Sequence, residues 1–409
     1  MDTVKKVNLT TQIIVMTVLG IIFGALFGQS LSFLDVIGKI FLRLIQMSIV
    51  ILIMGQIIEA VGNLNPKGLG KIGLKTFGLF ISSSLIAAII GITAGVAFNP
   101  GSGVDTSLLD VSGEAIETVS TGSIPELILD FFPTNIFSSM TEGSIVQVIV
   151  FSLIFGIALS FVKTEQEDNL ILEWVKQFNA VILKMIGLIM KTAPIGIFAI
   201  IASTISKMGL SIILPMGKYL AVYGFATILY LVVWFAITSI YLRVSIIKLS
   251  KNMLQMSLMA LTTTSSAITL PTALNDSKEK LGISDRIAKL VLPLGMSLNS
   301  NGSSMHMAIT IVTIAQIYGV TYGMSDFVYI VILSTMASLA NAVVPGAGLV
   351  SLTIVIPSMG LPIESIALFA GVDWFVGMLR TILNVDSDTT TALIVAKSEN
   401  ELDYDIFNR

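Results

Sequence analysis

Gly295-Met-Ser-Leu-Asn-Ser-Asn-Gly-Ser-Ser304 lies in the middle of a run, Leu290 to Tyr318, that is long enough to cross a bilayer but is broken at its centre by small and polar residues. Backbone that leaves the helix at membrane depth survives only where protein buries it or where it lines a watered cavity, because free amides and carbonyls in lipid are costly. The stretch therefore predicts an interrupted span beside a cavity. A second interrupted run, Ile366 to Ala396, carries Asp373, Arg380, Asn384 and Asp388. Each run follows a shorter apolar segment with a polar tip: Leu261-Thr-Thr-Thr-Ser-Ser-Ala-Ile-Thr-Leu-Pro271 before the first, Ala337-Ser-Leu-Ala-Asn-Ala-Val-Val-Pro-Gly-Ala-Gly348 before the second. Neither is long enough on either side of its tip to cross, so both read as re-entrant hairpins.

Hairpin followed by interrupted span thus occurs twice, and such pairing points to an inverted-repeat transporter with its site near the bilayer midplane. The rest of the chain agrees with a membrane setting. Of 409 residues, 54% are hydrophobic and 12% charged, and apolar stretches of spanning length recur at Ile13 to Phe27, Phe41 to Ile58, Phe77 to Val96, Ile145 to Val162 and Leu220 to Leu242. The first of these resembles the later spans and lacks a small-residue cleavage site, so it reads as a retained span. Lys5, Lys6, Lys67, Lys71, Lys75 and Lys163 mark the cytoplasmic side, and the Lys- and Arg-free loop around Asn99 to Pro133 marks the outside; Lys39 and Arg43 run against this rule. A helix over Glu173 to Ser206 is expected to bend at Pro194. No cysteine is present and His306 is the single histidine, which removes disulfides, thiol catalysis and multi-histidine zinc sites. No basic stripe suggests nucleic acid.

Arg380 is the most informative charge, since a guanidinium within a span needs a partner. Its planar fork suits a carboxylate held bidentately. That carboxylate belongs either to a bound substrate or to Asp373 two turns earlier. Asn384 and Asp388, at i and i+4, share a face and with Asn299 and the free carbonyls near Gly295 offer hard oxygens to an alkali cation; the alternative is a polar contact between helices without an ion. Asp386 reads as a polar residue toward the cytoplasmic end.

The string Val291-Leu-Pro-Leu-Gly-Met-Ser-Leu-Asn-Ser-Asn-Gly-Ser303, the Val344-Pro-Gly-Ala-Gly348 tip and Gly371-Val-Asp, Arg380-Thr, Asn384 and Asp388 together resemble the dicarboxylate/amino acid:cation symporter family, the glutamate transporter homologues. The resemblance extends over nearly the whole chain, including Asn99-Pro-Gly and Ala193-Pro-Ile-Gly-Ile-Phe198. It implies an all-α membrane protein of eight transmembrane helices and two re-entrant hairpins, a homotrimer in the cell membrane with both termini cytoplasmic. Scaffold spans one and two would occupy 1–75 and spans four and five 136–208, with an external loop at 99–135. Span three (76–98) and residues 209–397 (span six, hairpin one, span seven, hairpin two, span eight) would form a transport domain that moves as an elevator, and 398–409 a cytoplasmic tail.

By position, the resemblance implies substrate contacts at Ser266, Ser303, Val344, Gly348, Arg380, Thr381 and Asn384. It implies one cation site from Gly295, Asn299, Asn384 and Asp388, and a second from carbonyls near Ser297, Ser338, Leu339 and Asn341. No cofactor is implied beyond the coupling ions, Na+ or H+. A third cation would fall at Ser83, Ser84 and Asn301, but sodium-coupled members carry an Asp where this chain has Asn301, which should weaken or abolish that ion. Amino acid carriers of the family hold the substrate ammonium with an Asp at the position of Gly377, and many prokaryotic members have an Arg at Thr264. Both charges are absent, so the expected substrate is a small anionic dicarboxylate without an amino group, such as a C4 acid. Acidic or other amino acids are the alternative, and an anion channel a more remote one. His306, where the family more often has Tyr, is a candidate for proton coupling. No nucleophile with an adjacent base suggests an enzyme.

Overall fold

The break at Asn299 and Ser300 divides a helical chain whose segments follow from apolar runs punctuated by Gly, Pro and short polar clusters. The computed structural model describes residues 9–63, 66–103, 129, 131–165, 169–339 and 347–409. Among these the elements are helices, joined by one isolated bridge between Ile283 and Leu402. The N-terminal part comprises α1 (Leu9–Phe27), α2 (Leu34–Gln46), α3 (Ile49–Gly62), α4 (Pro66–Phe98), the short α5 (Ile136–Glu142), α6 (Ile145–Glu165), α7 (Leu170–Met190) and α8 (Ala193–Met208). The C-terminal part comprises α9 (Ile213–Leu242), α10 (Ile246–Thr263), α11 (Ser266–Glu279), α12 (Asp285–Leu298), α13 (Asn301–Ile317), α14 (Met324–Leu339), α15 (Ala347–Ser358), α16 (Ile366–Phe369), α17 (Asp373–Ser398) and α18 (Tyr404–Phe407).

Among the described residues, Ile72–Phe98 and Ile213–Leu242 are each long and apolar enough to cross a membrane as single helices. At about 1.5 Å per residue, 30 residues reach about 45 Å, beyond the roughly 30 Å hydrocarbon core. Two bent pairs also qualify: α7 with α8, bent by 54°, and Ile363–Phe369 with α17, bent by 85°. The first bend falls where expected, with Pro194 in the first turn of α8. Large apolar side chains point outward along these helices, Leu214 at 80% exposure and Ile240 at 78%, a surface that suits lipid rather than water.

Two expectations about continuity are corrected. The run Phe41 to Ile58 is not one helix: α2 ends at Gln46 and α3 begins at Ile49, with Ser48 buried at the break. No Gly or Pro marks this site. The run Ile366 to Ala396 is interrupted at residues 370–372, before Asp373, and α17 then passes unbroken through Arg380, Asn384 and Asp388. The polar side chains of α17 therefore serve as a continuous helical face rather than as helix breakers.

Two helices meet in a tight turn at the expected first tip. Helix α10 ends at Thr264, whose φ of 50° is left-handed, and Ser265 caps α11 by accepting from Ile268 N. Helices α14 and α15 flank residues 340–346, which carry the second tip and lie outside the described residues. The core divides into one large cluster drawing on α3, α6 to α9 and α13 to α17, and a second gathered around α9 to α12, α17 and Phe407. Near the expected outer side, Gln316 Nε2 donates to Gly95 O at 2.8 Å and its Oε1 accepts from Gly101 N, while Lys218 Nζ reaches Asn99 O, so the Asn99-Pro-Gly turn is pinned to α9 and α13.

The segment after α17 is packed rather than a loose tail. Asp403 N donates to Gly282 O at 2.8 Å, Asn252 Nδ2 donates to both Lys280 O and Phe407 O, and Arg286 pairs with Glu401. Lys75 of α4 pairs with Glu399. Phe407 is fully buried. Nearby, Asp285 is bridged by Lys278 at 2.8 Å and Lys289 at 2.6 Å, and these ammonium groups hold its carboxyl below the usual carboxylate range.

Candidate functional site

Helix α12 stops at Leu298 because the chain turns extended at Asn299 (φ −127°, ψ 98°) and stays non-helical at Ser300 (φ −123°, ψ 65°) before α13 begins at Asn301. A helix end leaves its last carbonyls without intrahelical donors. Gly295 O accepts from Asn299 N at 2.8 Å, and the break itself lies in the protein interior, since Asn299, Asn301 and Ser303 are at most 1% exposed.

Helix α17 lies across this break. Asn299 Nδ2 donates to Asp388 Oδ1 at 2.7 Å, and Gly302 N donates to Asn384 Oδ1 at 2.8 Å, one turn away on α17. Glycine is required at Gly295 and Gly302: a Cβ at the first would overlap the Asp388 carboxyl, and at the second the backbone of Arg380. Gly295, Asn299, Asn384 and Asp388 are thus brought together as expected. A carboxylate, two carboxamides and a backbone carbonyl form a hard-oxygen donor set that fits an alkali cation and suits soft metals poorly. A cavity of about 10 Å³ is lined by Asp388 together with Ser266, Leu270, Ala273, Leu292, Met296, Val385 and Thr389, about the room one water occupies. Ser266 therefore faces the Asp388 side.

The expected third-cation residues also converge, in a hydrogen-bond network that extends to Asn299 Oδ1, 3.4 Å from both Ser83 Oγ and Ser84 Oγ. Ser83 Oγ (3.3 Å) and Ser84 Oγ both donate to Asn301 Oδ1, and Asn301 Nδ2 donates to Tyr230 OH at 2.9 Å. With a carboxamide in place of a carboxylate, both ends of Asn301 are satisfied by neutral groups.

Arg380, 7% exposed, is different: its Nη1 is buried and has no hydrogen-bond partner. Asp373 Oδ1 is likewise buried and unpartnered, and no ion pair joins the two among the described residues. The internal-salt-bridge reading of Arg380 is therefore set aside. Both atoms face Gly348 at the start of α15, where a Cβ would meet Asp373 Oδ1 and Arg380 Nη1 at once. Gly377 lies near the other fork nitrogen, a Cβ there coming within 3.9 Å of Arg380 Nη2. Thr381 Oγ1 is turned back onto Gly377 O at 2.8 Å. An unpaired guanidinium nitrogen behind a side-chain-free backbone position has the chemistry to receive a carboxylate.

Other expected residues are partly placed. Ser297 is exposed and its hydroxyl bonds Pro293 O, whereas Ser338 is buried and bonds Thr335 O. Leu339 is buried at the end of α14. Val344 and Asn341 lie outside the described residues. His306 is 1% exposed; its Nδ1 meets Tyr219 OH at 2.7 Å, and its Nε2 has no partner. Asp386, expected toward an aqueous end, is 2% exposed and accepts from Ser257 Oγ of α10 at 2.7 Å. That contact links the first hairpin to α17.

Sequence reasoning missed the contribution of α9. Tyr223 OH donates to Gly302 O at 2.9 Å, Tyr230 receives Asn301, and Trp234 Nε1 donates to Thr390 Oγ1 at 2.8 Å. The signal was available: Tyr219, Tyr223, Thr227, Tyr230 and Trp234 recur every three or four residues in an apolar span, a polar-tipped stripe on one helical face.

The model of the sodium:dicarboxylate symporter family matches residues 9–398. The chain is 32% identical over 404 residues to the proton/sodium-glutamate symport protein of Bacillus subtilis, covering 96% of this chain and 93% of that one. It is 32% identical over 415 residues to the proton/glutamate-aspartate symporter of Escherichia coli, covering 97% and 94%. It is 28% identical over 404 residues to a C4-dicarboxylate transport protein of Rhizobium etli, covering 97% and 90%.

Proposed function

Since the chain belongs to the sodium:dicarboxylate symporter family, we propose that it is a secondary active symporter that imports small dicarboxylates, C4 acids in particular, together with Na+ or H+. The observation that carries this reading is Arg380 Nη1, buried and unpartnered against Gly348. A substrate carboxylate satisfies it, and a cation held by Asp388, Asn384, Asn299 and Gly295 favours the approach of that anion, which is the elementary basis of coupling. The remaining substrate contacts are Ser266, Ser303, Val344 and Thr381. A second cation lies near Ser297, Ser338, Leu339 and Asn341.

The protein works as a homotrimer in the cell membrane, termini inside, with residues 76–98 and 209–397 moving as an elevator against a scaffold of 1–75 and 136–208. Support comes from the family and from the concentration of polar interior groups in α4 and α9 to α17. Asn301, a neutral carboxamide already bonded to Ser83, Ser84 and Tyr230, supports fewer than three sodium ions. The second reading, an acidic amino acid symporter, is supported by relatives at 30–32% identity named for glutamate and aspartate; Gly377, at the position from which the resemblance expects a carboxylate to hold the ammonium, places it behind.

Counterflow in proteoliposomes tests the substrate class. Vesicles preloaded with malate or succinate should drive entry of labelled C4 acid, and neutral amino acids should not. Exchange supported by neutral amino acids alone would overturn the reading.

A further inference from the structure

Asp373 opens α17, and its Oδ1 is buried and unpartnered alongside the equally unpartnered Nη1 of Arg380. A carboxylate at the first position of a helix is favoured by the exposed backbone N–H groups there, and it stands within electrostatic reach of the guanidinium. The two groups flank the same backbone point, Gly348, without closing on each other. The neighbouring polar groups are already engaged. Asn384 Oδ1 holds Gly302 N, Thr381 Oγ1 holds Gly377 O, Tyr223 OH holds Gly302 O, and Tyr219 OH is taken by His306 and Thr310. Beside the carboxylate receptor there is thus a hydrogen-bond acceptor in need of a donor. A ligand carrying only carboxylates would set one of them against Asp373, and its Oδ1 would stay unsatisfied, which is costly in a buried site.

We propose that Asp373 is a specificity-determining residue: while Arg380 holds a substrate carboxylate, Asp373 Oδ1 accepts a hydrogen bond from a donor on the adjacent carbon, so the carrier selects C4 dicarboxylates with a hydroxyl or ammonium group at C2 over unsubstituted ones. This rests on the proposed function and deepens it. It also supplies, from two turns earlier on α17, an acceptor that Gly377 does not provide.

The test is competition in proteoliposomes among malate, aspartate and succinate, read as relative kcat/KM, for the wild type, Asp373→Asn and Asp373→Glu. A site built around a donor discriminates strongly against the analogue that lacks it, so the wild type should prefer malate or aspartate to succinate by at least about tenfold. Malate and aspartate identify which donor is used. Asp373→Asn should collapse the preference while still carrying succinate, which shows that it is folded, and Asp373→Glu should restore part of it. Should Asp373→Asn carry nothing, the wild-type ratio decides, together with thermal stabilisation of the purified wild type by each acid. Succinate used as well as malate and aspartate by the wild type, or a preference unchanged in Asp373→Asn, would overturn the proposal. Absence of uptake of all three acids would instead defeat the symporter reading.

Discussion

Asn299 donates through Nδ2 to Asp388 Oδ1 at 2.7 Å, so the break between α12 and α13 is tied to α17 by one carboxylate. The Asp388 carboxylate is buried, 4% exposed, with the Asn299 amide donating to it. A buried carboxylate held by one amide calls for a further positive partner. In the proposed carrier that partner is the coupling cation. Asp388→Asn removes the charge and keeps the shape. It should weaken cation activation of uptake by about tenfold to a hundredfold, the worth of one charge-assisted ligand, with protein yield and thermal stability near wild type. A titration of uptake against Na+ and against H+ checks it; an unchanged half-activating concentration for both would remove Asp388 from the cation site.

In the proposed carrier, Asn301, satisfied by Ser83, Ser84 and Tyr230, is the residue that disfavours a third ion. Asn301→Asp reinstates a carboxylate beside two hydroxyls. We expect the charge stoichiometry, read from the reversal potential of substrate flux in proteoliposomes under imposed Na+ gradients, to rise by one ion per cycle. A stoichiometry unchanged in a folded variant would mean that the cluster is structural whatever its charge.

Gly348 has no side chain because Asp373 and Arg380 occupy the space a Cβ would need. Gly348→Ala should therefore lower uptake by about tenfold or more, since a small misplacement of reacting or binding groups is amplified strongly. Its thermal stability should stay close to wild type. Gly302→Ala differs: the Cβ meets the backbone of Arg380, which cannot move aside cheaply, and overpacking of this kind costs about 1–3 kcal/mol. Denaturation in detergent distinguishes the two substitutions, and equal loss of stability in both would contradict the distinction.

The C-terminal segment makes a stability prediction. Phe407 is fully buried in the cluster around α9 to α12, so Phe407→Ala should destabilise the protein by about 3–5 kcal/mol. Asn252→Ala, which loses the bonds to Lys280 O and Phe407 O, should cost about 1–3 kcal/mol. Thermal unfolding in detergent reads both. A variant shortened before Tyr404 that melts like the full chain would show the packing to be idle.

Much of the architecture was legible because it rests on local chemistry. The clustered Gly, Ser and Asn of residues 295–304 announced the break at Asn299, and the Thr-Thr-Thr-Ser-Ser run announced the hairpin tip at Thr264 and Ser265. The i, i+4 spacing placed Asn384 and Asp388 on one face. What was hidden rests on distant partners. The break at Met47 and Ser48 has no Gly or Pro to signal it, and the continuity of α17 through Arg380, Asn384 and Asp388 depends on what packs around them. The docking of residues 398–409 could be suspected from Tyr404 and Phe407, two aromatics in a polar segment, but its partners Gly282 and Asn252 lie more than 120 positions away. Asp373 was weighed only as an internal counter-ion; that its Oδ1 is left open becomes visible once Gly348 is seen beside it.

The central claim is that cation flow drives anion uptake through the site between Arg380 and Asp388. It is tested most directly in purified proteoliposomes that start with equal malate on both sides and an inward gradient of Na+ or of H+. The account predicts that labelled malate accumulates inside above its external concentration under at least one of these gradients, and that the accumulation disappears in Arg380→Ala. Malate that only equilibrates under both gradients, with no accumulation in the wild type, would contradict it.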